Sequence, residues 1–554
     1  MSPTPVEQVL NTPHVDLKST LPARLDIVLQ GVIVAYPHDV LVALNGTTVG
    51  DVTFTGQDKG KLSVTIPPGL LQDWTNTVTL TAQNGEYDTS LVESIRITYP
   101  HLYVADSDTL KFTGRAGDEV YVSGFTSAPA VLDITDAKHP VQVTGNISAG
   151  GGKYAIALQV PWTTTDAAMP VRHTLLAIAA DRIEAPAMLA PNHPSHWHSS
   201  QAGADIAMVT YEDFAAALAP LTQAHQAEGK SSVVVPINDL YDEFNFGERS
   251  PFAIRQFLQA AKQNWKKAPS YLLLNGRASF DPRDYLGMGH LDLVPTRILP
   301  TTGLMTASDD WFSDFNESGM PTIATGRLPV SSQDEAATVV GKIAAYEGQS
   351  TNGPWTSQAM FVADKNDTEN FTQDTQTVQS ELPKTMQVTD VFTDTIGTTA
   401  AQQEIINGIN SGQLLVNYLG HGSEEQWSGS AIFDVNSLTL LTNSSQLPVF
   451  FIMDCLNGFF QDVYAQPLGA ELLLAPNGGA VAVLASTGLN QAAPQTQLDA
   501  LVVQNSLNAA RPTLGESILK AKSKIGDPAV RRTFVLFGDP AMQVKQPATN
   551  AAAH

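Results

Sequence analysis

A single thiol, Cys455, stands in this chain of 554 residues, so no internal disulfide can form. Its context must decide whether it is an inert core residue or a nucleophile. Positive charge is scarce as well. Against 55 Asp and Glu there are 31 Lys and Arg, a formal charge of -24, which disfavours nucleic acid or an anionic membrane surface as partner. No apolar run reaches the roughly 18 residues of a membrane span. The start, Met1-Ser2-Pro3-Thr4-Pro5-Val6-Glu7, has neither the basic nor the apolar region of a signal peptide. Gly276-Arg277-Ala278-Ser279 lacks the Gly-Lys-Ser/Thr ending of a phosphate loop.

What the chain does have is a set of apolar runs that end in reactive or polar residues. Cys455 follows Pro448-Val449-Phe450-Phe451-Ile452-Met453-Asp454, and it lies 34 residues after His421, which ends Gln413-Leu414-Leu415-Val416-Asn417-Tyr418-Leu419-Gly420. Each run has the length and content of a buried strand, and the interval is long enough for a crossover, so the pair is expected as parallel neighbours. Both residues then sit at the carboxyl edge of one sheet, where open α/β folds place their ligands. Two further runs add Asp364, after Ala359-Met360-Phe361-Val362-Ala363, and the loop Ser486-Thr487-Gly488, after Gly479 to Ala485.

Such a rim suits acyl transfer. A nearby imidazole raises the thiolate fraction of a cysteine or protonates the leaving amine, and His421 is the candidate. Its glycine neighbours in Gly420-His421-Gly422-Ser423 permit a sharp turn and close backbone approach, so the amides of Gly422 and Cys455 are the expected oxyanion donors. Asp364 is the candidate to orient the ring. No metal is needed for this chemistry.

These motifs resemble the gingipain-type cysteine peptidases, which share a caspase-like fold. The resemblance rests on Asn417 to Glu424 followed by Trp427, on Asp454-Cys455-Leu456-Asn457-Gly458-Phe459-Phe460, on Ala485-Ser486-Thr487, and on Val535-Leu536-Phe537-Gly538-Asp539-Pro540. Less specific matches, Asn238 to Phe244 and Ser308 to Phe312 among them, extend it over roughly residues 200 to 546. It implies His421 and Cys455 as a catalytic dyad, Asp364 as the orienting acid, and Ser486, Thr487, Trp427 and Asp374 as substrate-binding positions. Asp374 is the nearest acidic candidate for selecting a basic side chain. The caspase pentapeptide is absent, so an aspartate preference is not implied.

The chain therefore reads as multidomain, with an N-terminal β-sandwich-like region ahead of a caspase/gingipain-like α/β catalytic region of two subdomains. Residues 1–100 hold short alternating β-prone segments, with Asn45-Gly46 as a hairpin signal. A second β-rich region and the linker Pro191 to His198 fill 101–195. The α/β subdomains span 200–350 and 355–546, the second carrying the chemistry, and 547–554 is a tail. The three linker histidines match no closed metal site. Asp309, Asp310, Asp314 and Glu317 are solvated loop carboxylates by default, with calcium the structural ion they would take.

The expected function is a cysteine endopeptidase acting on proteins or peptides through a thioester, with a sortase-like transpeptidase or a non-enzymatic surface-binding protein as alternatives. The resemblance implies a secreted or surface location. Oligomeric state is not legible in the sequence.

Overall fold

The computed structural model describes all residues except 1–3, 34, 163–171, 186–193, 200–201, 302, 350–352 and 547–554. The tail at 547–554 and His193 of the linker thus lie outside the described residues. The chain divides into two compact units, Met1–Ala190 and Pro191–His554.

In the first unit, alternation of apolar and polar residues sets the architecture. Ala23–Gly31 buries every second residue from Ala23 onward and leaves those between them partly or fully exposed. It lies between Lys59–Ile66 and Ser90–Thr98 in one sheet, while Val6–Thr12, Trp74–Ala82, Pro37–Leu44 and Thr47–Thr55 form another. Both sheets feed one core, with Leu25, Ile27 and Leu29 meeting Val42, Leu44, Val78 and Leu80. Asn45 and Gly46 both take positive φ, 49° and 80°, between the paired Leu44 and Thr47, the geometry of a primed hairpin turn. Residues 109–179 add two sheets around a separate core of Val122, Phe125, Val131 and Leu175.

The second unit opens with Trp197, which packs on Phe257 and Trp265 and donates its indole N–H to Asp239 at 2.9 Å. Its frame is a ten-stranded sheet. In chain order the strands are β1 (Ile206–Thr210), β2 (Ser232–Pro236), β3 (Tyr271–Asn275), β4 (Ala324–Leu328), β5 (Gln358–Ala363), β6 (Gln387–Phe392), β7 (Leu415–Leu419), β8 (Val449–Met453), β9 (Ala482–Ser486) and β10 (Phe534–Phe537). They lie side by side as β2-β1-β3-β4-β10-β9-β8-β7-β5-β6. Neighbours are parallel except β9 and β10, so the strand direction reverses there. Strands β7, β8 and β9 are buried at every residue, as their unbroken apolar runs require of strands covered on both faces. The stretches 200–350 and 355–546 thus contribute to one continuous sheet, joined where Arg327 of β4 pairs with Phe537 of β10.

Arg327 is fully buried. Its guanidinium holds Asp309 through two bonds, Nε to Oδ2 at 2.7 Å and Nη2 to Oδ1 at 2.9 Å, and donates to the carbonyls of Gly276, Val294 and Pro295. Every N–H of the fork is used, which an ammonium with three donors does not reproduce. Arg327→Ala leaves Asp309 buried without its counter-charge and is expected to cost about 3–5 kcal/mol in chemical denaturation. Arg327→Lys is expected to recover only part of the loss.

A second buried polar contact ties β7 to the helix Ala492–Ser506. The Asn417 amide donates to both oxygens of Asp499, at 2.8 and 2.7 Å, and burial pushes the Asp499 carboxyl up to about 8. A carboxyl whose pKa is raised on folding binds a proton that the unfolded chain has released, so its stabilising contribution is complete at low pH and is lost as pH rises toward 8. Unfolding free energy measured from pH 4 to 8 is expected to fall less steeply in Asp499→Asn than in the parent.

Candidate active site

Strands β7 and β8 run parallel in register, Leu419 pairing with Met453. Two residues beyond each of these partners stand His421 and Cys455, so equal steps past a shared register bring both to the same rim. Both line one cavity of about 390 Å³, together with Gly420, Met453, Phe371 and Asn490. No hydrogen bond joins the thiol to the imidazole among the described residues. The two groups are held separately, the thiol by Asn490 and the imidazole by Asp367.

The histidine turn is held from beneath. The Tyr418 hydroxyl donates to the His421 carbonyl at 2.7 Å, and the same carbonyl accepts the Ser428 N–H at 2.7 Å. Asp364, 3% exposed, accepts the backbone N–H groups of His421 at 3.2 Å and Lys365 at 2.7 Å. Glycine is required on both sides. A Cβ at position 420 falls 2.4 Å from the Asp364 Cβ, and one at 422 falls 2.0 Å from Asp454 Oδ2. Gly422–Ser423 then pairs with Gln426–Trp427.

The carboxylate on the ring is Asp367, whose Oδ2 lies 2.8 Å from His421 Nε2. This corrects the expectation for Asp364, which is occupied with the backbone of the turn. The Glu369 N–H and the His421 ring hold the Asp367 carboxyl below its ordinary pKa. A neutral ring that gives its Nε2–H to Asp367 keeps Nδ1 as the basic nitrogen. Phe371 meets the imidazole edge on, with ring centroids 5.2 Å apart.

Beyond β8 the chain turns sharply, with Leu456 at φ 71°. The Asn457 side-chain amide donates to the Ser423 carbonyl, tying the cysteine loop to the histidine loop. The thiol donates to the Asn490 carbonyl at 3.7 Å and accepts its N–H at 3.5 Å. Burial pushes the Cys455 thiol up, against the N–H of Asn490. Asp454, also fully buried, has its carboxyl raised well above the usual range by desolvation, with the charge of Asp364 adding. The Cys455 N–H makes no backbone hydrogen bond among the described residues and is available to an oxyanion.

Three expected substrate positions are corrected. Trp427 is fully buried, stacked on Tyr418 at 4.4 Å and 9°, and supports the turn from inside. Ser486 and Thr487 are also fully buried. Ser486 Oγ accepts the Gly488 N–H and an Asn490 amide hydrogen, and Thr487 Oγ1 donates to the Ala307 carbonyl. Asp374 lies in the helix Phe371–Gln379, one turn beyond Phe371, and the cavity wall in this region is formed by Thr368, Glu369 and Phe371. Desolvation and the charge of Glu369 raise its carboxyl pKa.

Asp367 and Asn490 are the contacts that sequence reasoning missed. Each lies within four residues of a strand end, which is the one signal that marks them. The raised thiol pKa makes a direct prediction. Alkylation of Cys455 in the free protein should keep accelerating with pH beyond the ordinary thiol value of roughly 8.5. A rate that levels off below that value would contradict the assignment of a desolvated, protonated resting thiol.

The profile of peptidase family C25 matches residues 199–545. Gingipain R2 of Porphyromonas gingivalis is 28% identical over 328 residues, covering 53% of this chain and 41% of that protein. Gingipain R1 of Porphyromonas gingivalis is 28% identical over 328 residues, covering 53% of this chain and 30% of that protein. The chain thus spans less than half the length of these curated relatives. Among solved structures, the Arg specific cysteine proteinase gingipain R aligns at a TM-score of 0.51 and 22% identity, over 64% of this chain and 80% of that one, which shows a shared fold. With the family profile extending from the start of the α/β unit through its last strand, the chain belongs to peptidase family C25, the gingipain-type cysteine peptidases.

Proposed function

We propose that this protein is a cysteine endopeptidase in which Cys455 is the nucleophile and His421 the acid. The carrying observation is that adjacent in-register strands deliver the imidazole and the thiol to one cavity. Cys455 Sγ attacks the peptide carbonyl as its proton passes to Nδ1 of His421, the basic nitrogen of the ring. Negative charge on the carbonyl oxygen is met by the Cys455 N–H at the glycine-walled turn beside Gly422. His421, held at Nε2 by Asp367, delivers a proton from Nδ1 to the departing amine as the C–N bond breaks. Water then attacks the thioester, releasing the carboxylic acid and restoring the thiol. Asp364 and Asp367 divide the positioning work, one holding the backbone and the other the ring.

Glu369 is the acidic group on the cavity wall, and Asp374 follows in the helix Phe371–Gln379. This supports a preference for substrates with a basic side chain near the cleaved bond. The family resemblance supports action outside the cell or at its surface. Among the described residues no helix is long and apolar enough to cross a membrane.

A diverse peptide library incubated with parent and Cys455→Ala, with products read by mass spectrometry, tests the reading. Cleavage by the parent alone is expected, and His421→Ala should lose about 10²–10⁴-fold in kcat/KM. Products enriched in Lys or Arg at the cut, with that enrichment reduced in Glu369→Gln, are the expected specificity. Masses corresponding to a joined amine would instead identify a transpeptidase. Equal product from Cys455→Ala would remove the thiol from the mechanism.

A further inference from the structure

Three side chains from separate segments of the first unit converge outside any role described above. His14 follows the strand Val6–Thr12, His101 follows Ser90–Thr98, and Asp106 precedes Thr109–Arg115. His14 Nδ1 lies 2.7 Å from Asp106 Oδ1, and His101 Nε2 lies 2.9 Å from Asp106 Oδ2. One donor atom from each residue falls within 4.8 Å of the others. The backbone fixes this arrangement. The Leu102 N–H donates to the His14 carbonyl at 2.8 Å, the Asp16 N–H donates to the Pro100 carbonyl at 2.8 Å, and Val15 bridges to His101. His14 itself is held at φ 56°.

The two ring nitrogens of His101 are held differently. Its Nδ1 faces the carbonyl of Leu102, an acceptor that requires N–H there. Its Nε2 faces a carboxylate oxygen, a second acceptor. With Nδ1 engaged by the backbone, Nε2 is the nitrogen turned toward the carboxylate and toward a cation that the cluster could take. An Nδ1–H given to a backbone carbonyl is also how a metal-ligating histidine is oriented.

We propose that His14, His101 and Asp106 form a binding site for a zinc-class divalent transition metal. Two imidazole nitrogens and one carboxylate suit a borderline ion and not calcium, which takes oxygen ligands. Around a tetrahedral ion with bonds of about 2.0–2.1 Å, ligand atoms stand roughly 3.3 Å apart, so the side chains shift from their 2.7 and 2.9 Å contacts to admit the ion. Access is provided by an open cavity of about 920 Å³ that reaches His101 and Asp106. The side chains of His14, His101 and Asp106 are 25%, 21% and 40% exposed, which leaves the remaining coordination to water. Bound there, the metal cross-links the segments at 14, 101 and 106, which lead from the sheets before residue 98 to those after residue 109.

The test uses the full chain carrying Cys455→Ala, so that no thiol competes. After chelator treatment, zinc is titrated against a chromophoric chelator. One tight equivalent is expected, and adding His14→Asn with His101→Asn should weaken it by more than the roughly 10- to 100-fold that loss of a supporting group costs. Circular dichroism in chelator checks that this variant folds. Cobalt(II) added to the chain with its triad intact is expected to give the intense visible spectrum of a four-coordinate site. Unchanged zinc affinity in the double variant, no equivalent in the parent, or only the spectrum of hydrated cobalt would each overturn the proposal, leaving a hydrogen-bonded His–Asp–His cluster.

Discussion

Everything at the candidate site depends on the register between β7 and β8. The two strands are buried on both faces and pair residue for residue from Leu415 with Val449 to Leu419 with Met453. Side chains alternate between faces with a period of two, so a slip of one residue would send each side chain of a strand to the opposite helical layer. Cohesion of the core thus translates into position at the rim. His421 and Cys455 inherit their relation from a ladder to which neither belongs, and the flanking strands β5 and β9 extend the same edge toward Asp364 and Asn490.

Above that ladder, the loops are fixed by polar contacts that cross between them. Asn457 joins the cysteine loop to Ser423, Tyr418 and Asp364 brace the backbone of the histidine turn, and Asp367 takes the ring. Three acidic residues there have separate environments. Asp364 accepts two backbone N–H groups, Asp367 is half in solvent, and Asp454 is wholly buried with its carboxyl pKa raised by desolvation. The absence of a side chain at Gly422 lets the turn approach Asp454 at the end of β8 closely.

Local pattern made part of this legible. The runs ending at Gly420 and Asp454 have the length and composition of buried strands, and Asn45-Gly46 specifies its hairpin through the positive φ that those two residues tolerate. What stayed hidden depends on how loops fold back. Asp364 and Asp367 are equally acidic and both follow β5, and only the course of the intervening turn decides that the nearer one meets backbone and the farther one meets the ring. Trp427 is expected from the family resemblance at a substrate-binding position, yet the turn at 422–427 folds it inward onto Tyr418. Ser486 and Thr487 are small enough to be satisfied internally, which sequence cannot distinguish from facing a ligand. The fully engaged fork of Arg327 draws on carbonyls around 276 and 295, a convergence with no local signature.

The solitary thiol, finally, has a redox consequence. An oxidised cysteine returns from the sulfenic state most readily when a neighbouring thiol resolves it, and this chain has none. Peroxide attacks the thiolate, so the desolvated pocket that keeps Cys455 protonated at rest also withholds the form that oxidants consume. Desolvation of the sulfur thus limits the oxidant-sensitive form, while the Asn490 N–H, which favours the thiolate, works against that protection.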